Sequence, residues 1–118
     1  MGSASSRVTA SLERTPLDDG TNVQKVILFF HCQPGKGSEL LDILSVALVE
    51  TRAYDGCVSV GSFVDADRPD SIVLYEEWDT RAQNEKYMTW RLETGLVEML
   101  EPILASPLEV HYLEPHPV

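Results

Sequence analysis

The chain has 118 residues, is 43% hydrophobic and carries a formal charge of −10, enough material for one domain with a modest core. That charge opposes nucleic acid and anionic membrane surfaces as partners, since both are polyanions. It equally opposes a highly anionic substrate unless positive groups are concentrated in one place.

Residues 1–22 are rich in Ser, Thr, Asp and Gly, with isolated apolar residues at Val8, Leu12 and Leu17; they read as a mobile N-terminal arm. The pattern changes at Val23, and residues 23–118 read as the folded domain. Gln24–Cys32 is a strongly apolar strand, broken by Pro34-Gly35-Lys36-Gly37. Ser38 is placed to cap a first helix running to Ala53. Leu40, Leu41, Ile43, Leu44, Ala47, Leu48 and Thr51 share one broad face of it, with Asp42, Ser45 and Val49 opposite, which is ordinary core amphipathicity.

Asp55-Gly56 ends that helix, and Cys57–Val64 forms a second strand. Asp65–Asp70 reads as a polar turn into a third strand, Ser71–Trp78. Glu76 and Trp78 are two apart there and point to one face of the sheet. A buried carboxylate is costly, so Glu76 needs a partner or a wet cavity beside it. Thr80 opens a second helix, with Gln83 in capping-box position. Gly95 interrupts that helix near Thr94. A shorter helical piece follows with Leu96, Val97, Leu100, Ile103 and Leu104 as its apolar side, its last turn made irregular by Pro102. Leu108–Leu113 is the final strand. The order β-α-β-β-α-β gives an α+β, ferredoxin-like subunit.

On the second helix, Gln83, Asn84, Tyr87, Trp90, Arg91 and Thr94 share one sector, with Met88 and Leu92 well away from it. Two arrangements are open. Either Met88 and Leu92 face the sheet and the polar-aromatic sector is solvated, or the sector lines a cavity beneath the helix, which avoids exposing Tyr87 and Trp90 together.

His31 and His111 sit in apolar strands and read as structural. With His116 they lack metal-ligand spacing, and the cysteines add none. The Pro34–Gly37 stretch lacks the spacing of a phosphate loop, and no glycine fingerprint for a dinucleotide occurs. Cys32 and Cys57 are too few for a disulfide framework and read as buried free thiols in a reducing compartment. No apolar run reaches the roughly 18 residues of a membrane span, and no secretory hydrophobic segment is recognisable, so a cytoplasmic location is expected.

Gln33-Pro34-Gly35-Lys36 after the first strand, Gly56-Cys57 before the second and Tyr75-Glu76-Glu77-Trp78 ending the third together resemble the antibiotic biosynthesis monooxygenase family, over roughly residues 24–115. The resemblance implies a subunit whose sheet joins that of a second copy in a dimeric α/β barrel, with a pocket between sheet and helices. It implies oxygenation of quinols, anthrones and related aromatic polyketides by O2 without metal, flavin or haem. Many members carry a histidine about nine residues after the tryptophan; this chain has Tyr87 there.

Under that resemblance, Trp78 stacks on a flat substrate, and Asn84 or Gln83 holds a carbonyl or hydroxyl. Glu76, Trp90 and His31 complete the substrate-binding set. Tyr87 is the candidate base, with Arg91 one turn along favouring its phenolate. A tyrosine anchored by a structural hydrogen bond is the competing reading of the same pair. A homodimer is expected because a four-stranded sheet covered on one face leaves Val26, Leu28, Phe30 or their neighbours wet. A non-catalytic, dimeric small-molecule-binding protein on this scaffold is the alternative function.

Overall fold

The computed structural model describes residues 22–118, so the arm expected over residues 1–22 lies almost wholly outside the described residues. The elements run β1 (Gln24–His31), α1 (Gly37–Ala53), β2 (Cys57–Asp65), β3 (Arg68–Trp78), α2 (Arg81–Glu93), α3 (Leu96–Leu100) and β4 (Glu109–Leu113). The four strands form one antiparallel sheet in the order β2-β3-β1-β4. This is the ferredoxin-like arrangement expected. Strand β3 begins at Arg68, before Ser71, because the β2–β3 connection tightens to a hairpin around Ala66-Asp67.

Strand parity sorts the sheet into two faces. Val26, Leu28 and Phe30 of β1 and Ile72, Leu74, Glu76 and Trp78 of β3 are buried beneath the helices. From above, α1 contributes Leu40, Leu44, Ala47, Leu48 and Thr51, the face its periodicity predicted. Ile27, Phe29, Val73 and Tyr75 point to the opposite, uncovered face, where the paired register also brings Phe63 of β2 and His111 of β4. The residues left wet by a single subunit are therefore the neighbours of Val26, Leu28 and Phe30.

Ser38 is not the cap of α1. Asp70, at the start of β3, accepts from the backbone N–H groups of Gly35 (3.0 Å) and Gly37 (2.8 Å) with its two carboxylate oxygens, and its carbonyl accepts from Cys32 N–H (2.9 Å). A carboxylate at a helix start satisfies orphan donors and complements the helix dipole. One strand residue thus fixes where β1 ends and α1 begins. Gly37 is required by the same closeness: a Cβ there would stand 2.5 Å from Pro69 O and 2.9 Å from Asp70 Oδ1. Gly95 (φ +89) supplies the left-handed turn that separates α2 from α3. At the head of α2, Thr80 accepts from Gln83 N–H (3.2 Å) while its hydroxyl donates to Gln83 Oε1 (3.1 Å), a variation on the expected capping box.

The two hydrogen bonds onto Asp70 hold its carboxyl below the usual carboxylate range. A depressed carboxyl contributes stability above its unfolded pKa and loses it as pH falls through the folded one. The stability difference between the wild type and Asp70→Asn should therefore be largest near pH 7 and shrink in acid, read from urea midpoints across pH. Gly37→Ala should cost about 1–3 kcal/mol by overpacking against backbone.

Candidate functional site

Helix α2 carries its polar-aromatic sector inward. Asn84, Tyr87 and Arg91 are buried and Trp90 is half-buried, whereas Leu92 is 64% exposed. An aliphatic face was not available to pack on the sheet, so the buried polar groups had to find partners.

Arg91 does so with four hydrogen bonds, three of them across the gap to α1. Its Nε donates to Tyr87 Oη (2.8 Å), Nη1 to Glu50 Oε1 (3.1 Å), and Nη2 to Ala47 O (2.6 Å) and Thr51 Oγ1 (3.2 Å). Tyr87 Oη and Thr51 Oγ1 lie 2.6 Å apart. Since Thr51 donates its own proton to Ala47 O (3.2 Å), the tyrosine hydroxyl donates to Thr51. Every polar atom of the Tyr87 and Thr51 side chains is thereby used. The guanidinium also lies over the ring of Trp90 (4.6 Å to its centroid).

The consequence for Tyr87 bears on both readings of the pair. The bonds from Arg91 and Thr51 favour the phenolate, but burial disfavours it more, and the hydroxyl is pushed above the ordinary tyrosine value. Its hydrogen bonding is that of an anchor, the competing reading of the pair.

Glu76 is 2% exposed. One of its oxygens accepts from Trp78 Nε1 at 2.8 Å, and burial raises its carboxyl above the usual range in spite of that bond. Trp78 is fully buried, enclosed by Tyr54 and Tyr87 with ring centroids 6.3 and 5.0 Å away. Its observed role is to hold Glu76; neither cavity described below exposes its ring to a ligand. Asn84 Oδ1 accepts from Tyr112 Oη (2.6 Å), while its buried Nδ2 has no partner.

Two spaces adjoin this network. The larger is an open groove of about 700 Å³ between α1 and the α2–α3 pair, with Ile43, Val46, Trp90, Leu96 and Met99 as its apolar surface and Asp42 and Glu50 as its acidic residues. The smaller, about 40 Å³, lies between helices and sheet and is lined by Glu76, Tyr87 and Arg91 amid aliphatic side chains from both layers. Small-molecule pockets typically occupy roughly 300–1,000 Å³; the groove lies in that range, and the inner space holds little more than a water or two. Ala47, Arg91 and Leu96 line both, so they form the wall between them.

The structure therefore brings Glu76, Tyr87 and Arg91 to one inner cavity, with Trp78 behind Glu76, Asn84 buried on the same helix face and Trp90 on the groove. Two expected residues stand apart. Gln83 is spent on the helix cap and on packing against Gly56. His31 points to the uncovered sheet face, where its ring stacks with Phe29 and its Nε2 lies 3.5 Å from Glu109. Thr51, Glu50 and Tyr112 were not singled out from the sequence. A threonine on the leucine-rich face of α1 was the available signal for the first.

The sequence model of the antibiotic biosynthesis monooxygenase family matches residues 24–89. Among solved structures, the chain is similar to a protein of Mycobacterium tuberculosis (28% identity, TM-score 0.60, 80% of this chain and 95% of that one). It is also similar to a conserved protein of Methanosarcina mazei (17% identity, TM-score 0.73, 81% and 95%). A third is a monooxygenase of Streptomyces coelicolor in complex with nanaomycin D (18% identity, TM-score 0.69, 85% and 93%). No protein of curated function matches.

Thr51→Val removes an acceptor used by two buried donors and should cost about 1–3 kcal/mol, measurable as a lowered urea midpoint. Glu76→Gln should act in the opposite sense at neutral pH. A carboxyl raised in the folded state contributes fully below its unfolded pKa and loses that contribution as pH rises through the folded value. Wild type and Glu76→Gln should accordingly be nearest in stability in mild acid, with the variant gaining on the wild type towards pH 8.

Proposed function

The chain belongs to the antibiotic biosynthesis monooxygenase family, and from that membership we propose that it is a cofactor-independent monooxygenase oxidising an aromatic polyketide, quinol or anthrone-type substrate with O2. The observation that carries this reading is the polar interior. A carboxyl, a phenol, an amide and a guanidinium occupy the core of a small domain, where aliphatic residues would stabilise the fold at lower cost. Such groups, next to a groove of ligand size, are what an enzyme for ionisable aromatics requires.

In this reading the flat substrate lies in the groove against Trp90, with Arg91 on its inner side balancing the charge of the substrate anion. Tyr87 and Thr51 fix the guanidinium, Trp78 fixes Glu76, and the free amide of Asn84 donates to a substrate oxygen once the interior opens to it. The anion then transfers an electron to O2, and recombination forms a peroxide at the ring carbon; its O–O bond breaks as the remaining hydrogen on that carbon and the proton first removed leave with the outer oxygen as water, and a carbonyl remains. Metal, flavin and haem have no part in the sequence of steps.

The functional unit is a homodimer assembled through the uncovered sheet face, supported by the contiguous Ile27, Phe29, Val73, Tyr75 and Phe63 that a single subunit exposes. Sedimentation at micromolar concentration should give twice the 13.2 kDa chain mass; a mass of one chain would reject this assembly. The non-catalytic alternative, a dimeric binding protein, is favoured by the completeness of the Arg91 network, which leaves Tyr87 no role as a base. Oxygen uptake with a panel of dihydroxynaphthalenes and anthrones, in the presence of chelator, separates the two. Turnover is expected; saturable binding of the same compounds without oxygen consumption would establish the alternative. Among the described residues no helix is long and apolar enough to cross a membrane, and a cytoplasmic site of action accords with the free thiols.

A further inference from the structure

We propose that Glu76 is the group that takes the acidic proton from the bound aromatic, and that the substrate's reacting edge reaches it past Arg91. The assignment rests on the oxygenase reading only for the kind of acid supplied. Three side chains with titratable groups, Glu76, Tyr87 and Arg91, line the inner cavity. Arg91 cannot accept a proton, and the lone pairs and proton of Tyr87 are committed to Arg91 and Thr51. Glu76 is left. Trp78 holds one of its oxygens at 2.8 Å, and among the described residues no hydrogen bond to the other is found.

The surroundings of Glu76 suit the task from every side. Across the sheet it is paired with Val26 on β1 and Val60 on β2. Its charge is felt by Tyr87 of α2, Tyr112 of β4 and Cys57 of β2, each of which it pushes towards the neutral form. Arg91 is the cation lining the same cavity. A carboxyl raised by burial is a stronger base than one in water and is poised nearer neutral pH.

In the step proposed, the substrate O–H bond (or the C–H bond of an anthrone) breaks. The proton goes to the free oxygen of Glu76, and the electron pair stays on the substrate as phenolate or enolate. Negative charge thus moves from the sheet wall towards the helix wall that carries Arg91, and no oxidant is consumed until O2 meets the anion. The inner cavity admits only the reacting edge, and the ring remains in the groove. Ala47 and Leu96, which line both spaces beside Arg91, are the other side chains of the wall that has to part for that edge to enter.

The test needs no oxygen. Anthrone is held anaerobically in D2O with wild type, Glu76→Gln and Tyr87→Phe, and exchange of its acidic C–H for deuterium is followed by NMR. Wild type and Tyr87→Phe should catalyse the exchange; Glu76→Gln, which retains an acceptor for Trp78, should exchange at least tenfold more slowly at equal occupancy. The wild-type rate should rise with pH as Glu76 loses its proton, and Trp78→Phe, which removes the bond that favours the carboxylate, should move that profile upward, a readout that stands even if Glu76→Gln does not fold. An unchanged rate in Glu76→Gln, an unmoved profile in Trp78→Phe, or a wild type that does not accelerate exchange overturns the assignment. Exchange without oxygen uptake from any substrate would instead reject oxygenation and keep Glu76 as the proton acceptor of a binding protein. Oxygen uptake with the exchange lost in Tyr87→Phe alone would keep the oxygenase and transfer the role to Tyr87.

Discussion

A single guanidinium holds the two long helices together. Arg91 is 6% exposed, and burying an arginine is tolerable only when its N–H groups find acceptors. Here one acceptor is a phenol on its own helix and three belong to α1: the Thr51 hydroxyl, the Ala47 carbonyl and the more exposed carboxylate of Glu50. Using the Ala47 carbonyl requires α1 and α2 to lie side by side at fixed distance and rotation. That constraint sets the width of the groove on one side of Arg91 and closes the cavity on the other. Removing any one acceptor leaves a charge buried with less support, so the site's geometry and the domain's stability are tied to the same few atoms.

The aromatic residues complete that arrangement rather than forming a separate core. Tyr54 contacts Trp78, Tyr87 and Trp90, with ring centroids 6.3, 5.1 and 5.4 Å away, and so bridges the end of β3 to the turns of α2 that carry Tyr87 and Trp90. These are tilted and edge-on contacts of the kind aromatic quadrupoles favour. They fill the region around Glu76 with large, stiff groups, which accounts both for the dryness that raises its carboxyl and for the small size of the inner cavity. The groove differs in kind. Val46 is 72% exposed and Met99 52%, so its surface is apolar and still unfilled.

Much of this was legible in the sequence. Alternation and helical period gave the order of elements, the face of α1, the common face of Glu76 and Trp78, and the common sector of Asn84, Tyr87 and Arg91. Each of those depends on residues close in the chain. What escaped depends on residues far apart in it. Asp70 caps a helix that begins 33 positions earlier, and Ser38 offered a plausible local substitute. The face of β1 that goes inward could not be told from parity, because Val26, Leu28 and Phe30 alternate with Ile27 and Phe29, apolar on both sides; the face that His31 joins hung on the same choice. Tyr87 shows the limit most clearly. The sequence places a cation one turn away and argues for a phenolate, but the competing cost of burial is a property of the packed domain, and it wins.

The separation of roles between the two cavities follows from the same competition. The groove beside Arg91 lies where the helices diverge and water reaches it, whereas the carboxyl raised by burial lies beneath the packed helices. One enclosed pocket holding both would need to bury a flat aromatic fully inside a domain whose sheet-facing layer is already packed by Leu28, Phe30, Leu44 and Leu74. In the proposed reading the divided site has the ring bound by Trp90 and exposed aliphatic groups while its ionising edge alone enters the interior. Arg91, shared by both spaces, is then the element that must tolerate a partner exchange. It lies between two carboxylates, partly exposed Glu50 on one side and buried Glu76 across the cavity, and an anion formed at the dividing wall would find the cation already positioned. The protein's large negative charge does not oppose the proposed chemistry, in which the substrate arrives neutral and its negative charge appears only after its proton has been transferred.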